Sequence, residues 1–191
     1  IILYFYLNYS QSPYAQFLSI LWLIHYFNRT FIYPFRIRTK GKKMPLVIVV
    51  TAISFNLINA GLNGYFLAHF EQYTALAFEH WTFYLGLSIF ILSFITNQIS
   101  DNILINLRKS NEVGYKIPNG FLFKYVSCPN HLSEIFQWTG FAIMAWNLPA
   151  TCFLIWTVAN LLPRALKHHK WYLKHFEDYP KNRKAIIPKI W

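Results

Sequence analysis

Four long stretches without a single Asp, Glu, Lys or Arg constrain the fold of this chain more than any other feature of its sequence. They lie at 1–28, 44–70, 80–100 and 135–163. A helix that spans a membrane needs about 20 consecutive, mostly apolar residues. Only 13% of the residues are charged, whereas soluble domains carry about 25%. The pattern therefore predicts an all-α membrane protein, a multi-pass helical bundle, and disfavours a water-soluble globule.

The fourth uncharged stretch is too long for one crossing. At 1.5 Å per residue, a helix of its length would extend well beyond a hydrocarbon core of about 30 Å. It also contains Asn147-Leu148-Pro149, and a proline disfavours helical geometry in the residue before it. We predict a hairpin of two helices broken at this tripeptide. The first begins near Asn130, and the second runs on past Arg164.

The charges of the loops give an independent test of this topology. The segment 29–43 holds six basic residues and no acid, whereas 71–79 holds two acids and no basic residue. The segment 101–124 holds four basic residues, and eight more follow from Arg164 onward. Basic loops stay in the cytoplasm, so the net charge of +11 favours membrane topology over nucleic-acid binding. The alternation predicts five crossings, a first helix that starts outside and a cytoplasmic C-terminus.

No linker, internal repeat or low-complexity tract interrupts the chain, which predicts a single domain over residues 1–191. The expected membrane is the endoplasmic reticulum in a eukaryote and the inner membrane in a bacterium. Residues 1–24 lack the basic start of a signal peptide and form too long an apolar stretch for one. Because the chain begins at Ile1 and not at Met, we expect an upstream piece.

Three sets of polar residues occur at helical spacing where predicted helices meet basic loops. Because polar groups near a membrane are costly, they usually face a cavity or a partner. The sets are Asn97, Asp101 and Arg108; Asn130, Glu134 and Gln137; and Asn160, Arg164, His168 and Tyr172. Their common side predicts a pocket for a polar, anionic ligand. The alternative is that the same groups cap helices or extend towards the interface.

Several other kinds of site are disfavoured. His168, His169 and His175 lie among lysines, and metal ligation needs neutral imidazoles, often with help from carboxylates; we predict no metal. No Walker loop, nucleophile elbow or Gly-rich dinucleotide motif is present. A soluble Rossmann domain is thereby excluded, and any dinucleotide would be held by side chains at the cytoplasmic helix ends.

Several strings along nearly the whole chain resemble the membrane steroid 5-alpha-reductases (3-oxo-5-alpha-steroid 4-dehydrogenases). They are HYFNRTFIYPF from His25, GKKMP from Gly41, NQISDNILINLRK from Asn97, GYKIPNG from Gly114, LFKYVSCPNHLSEIFQWTGFAIMAW from Leu122, and NLLPRALKHHKWYLKHFEDYPKNRKAIIP from Asn160. The resemblance implies a seven-helix fold with a luminal N-terminus and a cytosolic C-terminus. The five predicted crossings match its last five, so we expect the first two helices to be absent from this chain.

The resemblance also implies the cofactor, the substrate and the roles of particular residues. NADPH would be the cofactor, and Tyr26 matches the tyrosine that hydrogen-bonds the 3-keto oxygen of the substrate. The positions that match the NADPH pocket and its basic loop are Arg29, Lys42, Asn97, Asp101, Arg108, Tyr115, Asn130, Glu134, Arg164, His168 and Tyr172. The partners implied are a lipophilic small molecule and membrane lipids, without nucleic acid or metal.

Four positions depart from the family pattern. A glutamate that also contacts the ketone in the family would lie before Ile1, and Lys42 stands where relatives often have Arg. Gly120-Phe121 replaces a usual Gly-Gly, and the chain ends in IPKIW where relatives commonly have Phe after the proline. The first departure bears most directly on activity, because it concerns a group that contacts the substrate.

The implied reaction is the NADPH-dependent reduction of the Δ4 double bond of a 3-oxo steroid. Alternatives are a trans-2-enoyl-CoA reductase, which the strings VSCPN and GFAIM also resemble, and a polyprenol reductase. The former typically has a tyrosine where Ser133 precedes Glu134. An isoprenylcysteine-type methyltransferase is disfavoured, since the chain lacks its Arg-His-Pro string. A non-catalytic sterol-binding membrane protein is the alternative outside the enzymes.

Overall fold

Long helices dominate the chain. The structure, a computed structural model, describes residues 12–37, 44–69, 73–107 and 114–188. Within these ranges the long helices are α1 (Pro13–Phe27), α2 (Leu46–His69), α3 (Trp81–Asn106), α4 (Pro129–Ala145) and α5 (Leu148–His175). In the same ranges, β-structure is confined to one isolated bridge between Val126 and Lys184. The all-α prediction is confirmed.

Two of these helices are long and apolar enough to cross a membrane. They are α2, with a mean hydropathy of 1.8, and α3, with a mean hydropathy of 1.4. Their most apolar windows are only 11% and 22% buried, so both helices turn most of their apolar side chains outward. This is the pattern expected of helices that face lipid. The number of five crossings stays a prediction.

The predicted hairpin is confirmed, but its break lies slightly earlier than expected. Helix α4 ends at Ala145, and α5 begins at Leu148. Trp146 takes the left-handed conformation with φ of 44°. The Asn147 Oδ1 atom accepts a 2.8 Å hydrogen bond from the backbone N–H of Ala150, which caps α5. Pro149 lies in the first turn of α5, where a missing N–H costs no helical hydrogen bond.

Helix α1 begins with a capped turn and ends in an unusual one. The Ser12 hydroxyl accepts a 3.2 Å bond from the N–H of Ala15 at its start. At its end the chain continues through a π-helical segment, Asn28–Ile32, into one further α-turn, Tyr33–Arg36. Because π-helical segments are frequent at functional sites, the end of α1 is a candidate functional site.

The described residues form two compact units. The first contains those up to residue 86 together with 141–153. In it, two tyrosine hydroxyls satisfy carbonyls at the end of α4: Tyr14 donates to Met144 at 3.0 Å, and Tyr73 donates to Ala145 at 2.5 Å. Asn147 Nδ2 in turn donates to the Tyr73 hydroxyl at 2.6 Å. These bonds pair carbonyls that a helix end leaves without an intrahelical partner.

The second unit contains 87–140 and the described residues from 154 onward. Its helices pack through large aromatic side chains, among them Phe90 and Trp138, whose ring centroids are 6.5 Å apart. Cys128, Ala165 and Ile186 form a small buried cluster that brings the start of α4, the second half of α5 and the chain after α5 together. The prediction of a single domain stays a prediction.

Candidate functional site

Tyr26 lies in the first unit, near the end of α1, in an aromatic cage. Its half-buried ring stacks on Trp22 at 5.4 Å and meets the edge of His25 at 5.4 Å. Trp22 packs in turn against Phe141 at 5.3 Å and Phe153 at 5.0 Å. The ring is thus held by its faces and edges, so its orientation does not depend on the phenolic hydroxyl alone.

The basic residues predicted near the first loop are partly described. Arg29 lies in the π-helical segment, with its guanidinium 5.1 Å from the ring centroid of Tyr33. This is within the range of a cation–π interaction. Lys42 and Arg108 lie outside the described residues, so their predicted roles stay predictions.

In the second unit, Asn97 joins α3 to the first turns of α4. It is 1% exposed. Its Nδ2 atom donates to the backbone carbonyl of Asn130 at 2.8 Å and to the hydroxyl of Ser133 at 3.3 Å. Asp101 lies one turn further along α3 and is also buried. The Asn97 amide nitrogen therefore fixes the start of α4, and with it the placement of Asn130 and Glu134.

A line of polar side chains follows along α4. Asn130 and Glu134 are half-buried, and Gln137 is 0% exposed. Neither Nε2 nor Oε1 of Gln137 has a hydrogen-bond partner among the described residues. A buried amide without partners costs about 1–3 kcal/mol for each group. The arrangement therefore fits a polar ligand better than it fits a closed apolar core.

The basic face of α5 meets α4 through two histidines. The rings of His131 and His168 have centroids 6.0 Å apart. Arg164 and His168 are exposed. The Arg164 guanidinium suits an anionic group. Partial burial, with Arg164 and Lys167 nearby, lowers the pKa of His168, so its imidazole is mostly neutral at neutral pH. Asn160, at the same helical spacing, donates to the carbonyl of Trp156 at 3.1 Å instead. Its side chain thus bonds to its own helix.

Aromatic contacts connect the predicted tyrosines to the end of α5. Tyr172 is half-buried and stacks on Tyr179 at 5.2 Å with an interplanar angle of 9°. Tyr115 is 57% exposed and meets Trp171 edge-on at 4.7 Å. Tyr115 and Tyr172 therefore both contact Trp171.

The Gly120-Phe121 departure has a structural consequence. Gly120 has φ of 86° and Phe121 has φ of 45°. A left-handed conformation costs a residue with a side chain about 1–2 kcal/mol, whereas glycine adopts it freely. The backbone here thus has the shape that a Gly-Gly pair favours, and Phe121 keeps it at an energetic cost.

The chain after α5 is fastened to the start of α4 by a buried hydrogen-bond network around Ser127. The Ser127 hydroxyl lies 2.7 Å from His169 Nδ1, 2.7 Å from the Tyr179 hydroxyl and 3.1 Å from the Lys184 carbonyl. Backbone bonds reinforce it, with the Ser127 N–H donating to the Lys184 carbonyl at 2.8 Å. We call Ser127, His169, Tyr179, Arg183 and Lys184 the C-terminal clasp.

Arg183 connects the clasp to the loop 114–120, which contains Tyr115. Its guanidinium is buried, with the residue 3% exposed. It donates to the Pro118 carbonyl at 3.0 Å and to Asn119 Oδ1 at 3.1 Å, and it lies 4.9 Å from the Tyr179 ring centroid. The clasp therefore positions a loop that carries one of the predicted cofactor residues.

The clasp was not predicted from the sequence. Its members lie in a basic, aromatic-rich tail, where a charged residue is usually solvated, and spacing alone does not separate Arg183 from the exposed Lys181. The one usable signal is the adjacent His168-His169 pair, since neighbouring helical residues point to different sides.

Thiol chemistry and metal binding are two further possibilities at this end of the unit. Burial raises the pKa of the Cys128 thiol to about 12, so it stays protonated and is not a nucleophile at neutral pH. Within the described parts of the chain, no three His, Cys, Asp or Glu side chains come close enough to hold a metal ion. That the protein uses no metal stays a prediction.

The clasp is expected to weaken in acid. His169 lies in the charged last turns of α5, and burial, with Lys184 and Arg183 nearby, lowers its pKa. The unfolded chain therefore binds more protons than the folded one as the pH falls below about 6.5. Stability is full above that pH and declines below it. The measurement is the thermal midpoint of the detergent-solubilised protein between pH 7.5 and 5.

His169→Gln is expected to flatten this pH dependence, because the neutral amide can still bond Ser127 but does not titrate. His80→Gln, at an exposed site in the first unit, is the matched control and should leave the slope unchanged. An equal slope in wild type and His169→Gln would show that other groups cause the acid sensitivity.

Comparison with known proteins identifies the family. A profile of the family described as 3-oxo-5-alpha-steroid 4-dehydrogenase matches residues 42–191. The steroid 5-alpha-reductase DET2 of Solanum lycopersicum is 46% identical over 187 residues, which cover 96% of this chain and 72% of that protein. The 3-oxo-5-alpha-steroid 4-dehydrogenase 2 of Sus scrofa is 45% identical over 179 residues, which cover 94% of this chain and 70% of that protein.

The chain belongs to the 3-oxo-5-alpha-steroid 4-dehydrogenase family. The resemblance seen in its sequence strings is thereby confirmed. The protein is therefore an oxidoreductase that acts on a CH–CH group.

Proposed function

We propose that this protein reduces the Δ4 double bond of a 3-oxo steroid to the 5-alpha-3-oxo product, with NADPH as the hydride donor. Family membership, with 46% and 45% identity to proteins named for this reaction, is the observation that carries the proposal. The caged Tyr26 and the polar line of α4 support it. Enoyl-CoA and polyprenol reduction are the alternatives to be tested.

The second unit has groups that suit NADPH. Asn130 and Glu134 offer an amide and a carboxylate to the nicotinamide carboxamide, and the buried Gln137, without partners among the described residues, is consistent with a polar ligand beside them. Arg164 offers a cationic group to a phosphate, and His168 offers an imidazole N–H. Asp101, Tyr115 and Tyr172 belong to the same proposed set, and Asn97 contributes by fixing α4. The resemblance adds Arg29, Lys42 and Arg108 to the proposed set.

When bound, NADPH supplies a hydride to the beta carbon of the enone. Negative charge then develops on the carbonyl oxygen of the substrate, and a hydrogen bond from the neutral Tyr26 hydroxyl stabilises it. The stack on Trp22 keeps the Tyr26 ring in place before the reaction, so little reorganisation is needed. Water protonates the alpha carbon. The aromatic rings beside Tyr26 lower the local polarity, which strengthens this hydrogen bond.

We also propose that the protein crosses the membrane five times within this sequence, with the basic C-terminus in the cytoplasm. The apolar surfaces of α2 and α3 support two of these crossings. The alternation of basic and acidic loops supports the orientation. Cysteine substitutions at exposed loop positions, probed with a membrane-impermeant thiol reagent, test it. We expect the reagent to label the segment after α5 only when the cytoplasmic side of the membrane is accessible.

The reaction is tested in membranes that contain the full-length protein, with a 3-oxo-Δ4 steroid and NADPH deuterated at the transferred position. Mass spectrometry is expected to find a 5-alpha-reduced product with deuterium on the former beta carbon. NADPH should bind at least tenfold more tightly than NADH, because Arg and Lys can pair with its 2′-phosphate.

Equal binding of NADPH and NADH would refute the assignment of basic residues to that phosphate. NADPH binding without steroid reduction would direct the search to enoyl-CoA and polyprenol substrates. Absence of NADPH binding would overturn the proposed cofactor.

A further inference from the structure

Three lysines follow one side of the second half of α5. Lys167, Lys170 and Lys174 succeed one another at steps of three and four residues, which places them on one side of the helix. All three are exposed. Helix α5 contains no Asp or Glu between Leu148 and His175. The helix therefore offers these lysines no side chain of opposite charge at the spacing of three or four that an intrahelical ion pair needs.

The same side of α5 is apolar before it becomes basic. Trp156, Ala159 and Pro163 precede Lys167 at steps of three and four residues, and all three are exposed. One continuous surface, which we call the α5 stripe, therefore consists of Trp156, Ala159, Pro163, Lys167, Lys170 and Lys174. The stripe changes from apolar to basic after Pro163. This change is expected of a helix that passes from hydrocarbon into the layer of lipid headgroups.

The lysines lie on a different side of α5 from the proposed cofactor residues. Their mean direction differs from that of Arg164, His168 and Tyr172 by about 130°, since each residue turns an α-helix by about 100°. The contacts differ accordingly. His168 meets His131 of α4, with ring centroids 6.0 Å apart, and Tyr172 stacks on Tyr179 at 5.2 Å. A ligand on the lysines and a cofactor beside α4 would therefore occupy separate surfaces of α5.

The position of the lysines along the helix axis suits the headgroup layer of a membrane. At 1.5 Å per residue, Lys167, Lys170 and Lys174 lie about 6, 10 and 16 Å beyond Pro163, where the uncharged stretch ends. The headgroup layer is roughly 5–8 Å thick on each side of the hydrocarbon, and its surface potential acts about 8 Å further. A lysine ammonium on its flexible stem can follow mobile headgroups across this distance.

We propose that the three lysines of the α5 stripe bind anionic lipid headgroups in the cytoplasmic leaflet. The inference goes beyond the proposed reaction and rests on the proposed crossing of the membrane by α5, with its lysines on the cytoplasmic side. The partner is a lipid with a net negative charge, such as phosphatidylserine, because phosphatidylcholine carries a phosphate but no net charge. Each lysine near an anionic leaflet strengthens association by about fivefold, and salt screens this attraction.

The test uses the full-length protein in phosphatidylcholine vesicles that contain a trace of spin-labelled phosphatidylserine or of spin-labelled phosphatidylcholine. Electron paramagnetic resonance measures the fraction of each probe that the protein surface holds. At low salt, the serine lipid is expected to associate at least about fivefold more strongly than the choline lipid, and high salt should lower this preference. Because both leaflets carry the probe, the result does not depend on the orientation of the protein in the vesicle.

The double variant Lys170→Gln with Lys174→Gln is expected to reduce the preference for the serine lipid to about twofold or less. Lys124→Gln with Lys181→Gln is the matched control, because it removes two exposed lysines that lie off the stripe, and it should keep most of the preference. The thermal midpoint establishes that each variant is folded. A preference that survives in the first variant, or an equal loss in both, would overturn the proposed lipid surface.

The wild type alone also decides the matter if the first double variant does not accumulate. Equal association of the two lipid probes with the wild type would overturn the lipid surface and leave the proposed reaction intact. Steroid reduction is measured separately in the same vesicles. Its absence, together with a preference for the serine lipid that salt lowers, would overturn the proposed reaction and support the lipid surface.

Discussion

Tyr26→Phe is expected to lower kcat for steroid reduction by about 10²–10³, the loss typical when one donor to a developing oxyanion is removed. The substitution removes a single oxygen and leaves the ring, whose contacts with Trp22 and His25 do not require the hydroxyl. Binding of NADPH and the thermal midpoint should therefore change little. Single-turnover product formation in membranes, read by mass spectrometry, measures the chemical step directly.

Tyr84→Phe provides the matched control for Tyr26→Phe. Tyr84 is 60% exposed on α3, and its variant should keep wild-type turnover. If Tyr26→Phe also turned over at the wild-type rate, the developing charge would have another donor and Tyr26 would be a packing residue. A drop in turnover accompanied by loss of NADPH binding would instead indicate disruption of the fold.

Glu134→Gln is expected to weaken NADPH binding by about 10- to 100-fold, since it replaces a charge-assisted hydrogen bond with a neutral one of the same geometry. Glu134 lies one turn after Asn130 on α4, at the level that Asn97 fixes. The swap conserves the volume and polarity of the side chain, so insertion into the membrane should be preserved. Equilibrium titration with NADPH, followed by its fluorescence, measures the effect.

Glu177→Gln, at an exposed position beyond α5, is the corresponding control and should bind NADPH as the wild type does. Glu134 has a second possible role, because a carboxylate near the start of α4 also interacts favourably with the helix dipole. Normal NADPH affinity in Glu134→Gln, together with a lowered thermal midpoint, would assign Glu134 to that role alone.

The sequence predicted the helices well because their signals are local. Long uncharged stretches predict apolar helices regardless of what surrounds them, and α2 and α3 fall within or begin in two of them. The hairpin followed from length, since no single helix could use 29 residues to cross a 30 Å core. The position of its turn was less well predicted, because the cap by Asn147 lets Pro149 lie inside the first turn of α5.

The polar faces were predicted in position but not in detail. The common side of the three polar sets predicted that Asn97 lies near Asn130 and Glu134, and the structure joins Asn97 to Asn130 through a 2.8 Å bond. Spacing did not indicate that the Asn97 amide nitrogen bonds the backbone of α4. The same pattern grouped Asn160 with the α5 face, although its amide bonds to its own helix.

The sequence by itself determined the helical fold, the apolar segments and, through strings spread over most of its length, the family. The sequence signal for each of these three lies in residues that are neighbours along the chain, within a few turns of one helix. Only the tertiary structure decided that the C-terminal clasp closes around Ser127, that Arg183 is buried while Lys181 is exposed, and that Asn59 and Asn63 face inward. These depend on packing between distant segments, because burial and hydrogen-bond partners are set by which surfaces meet.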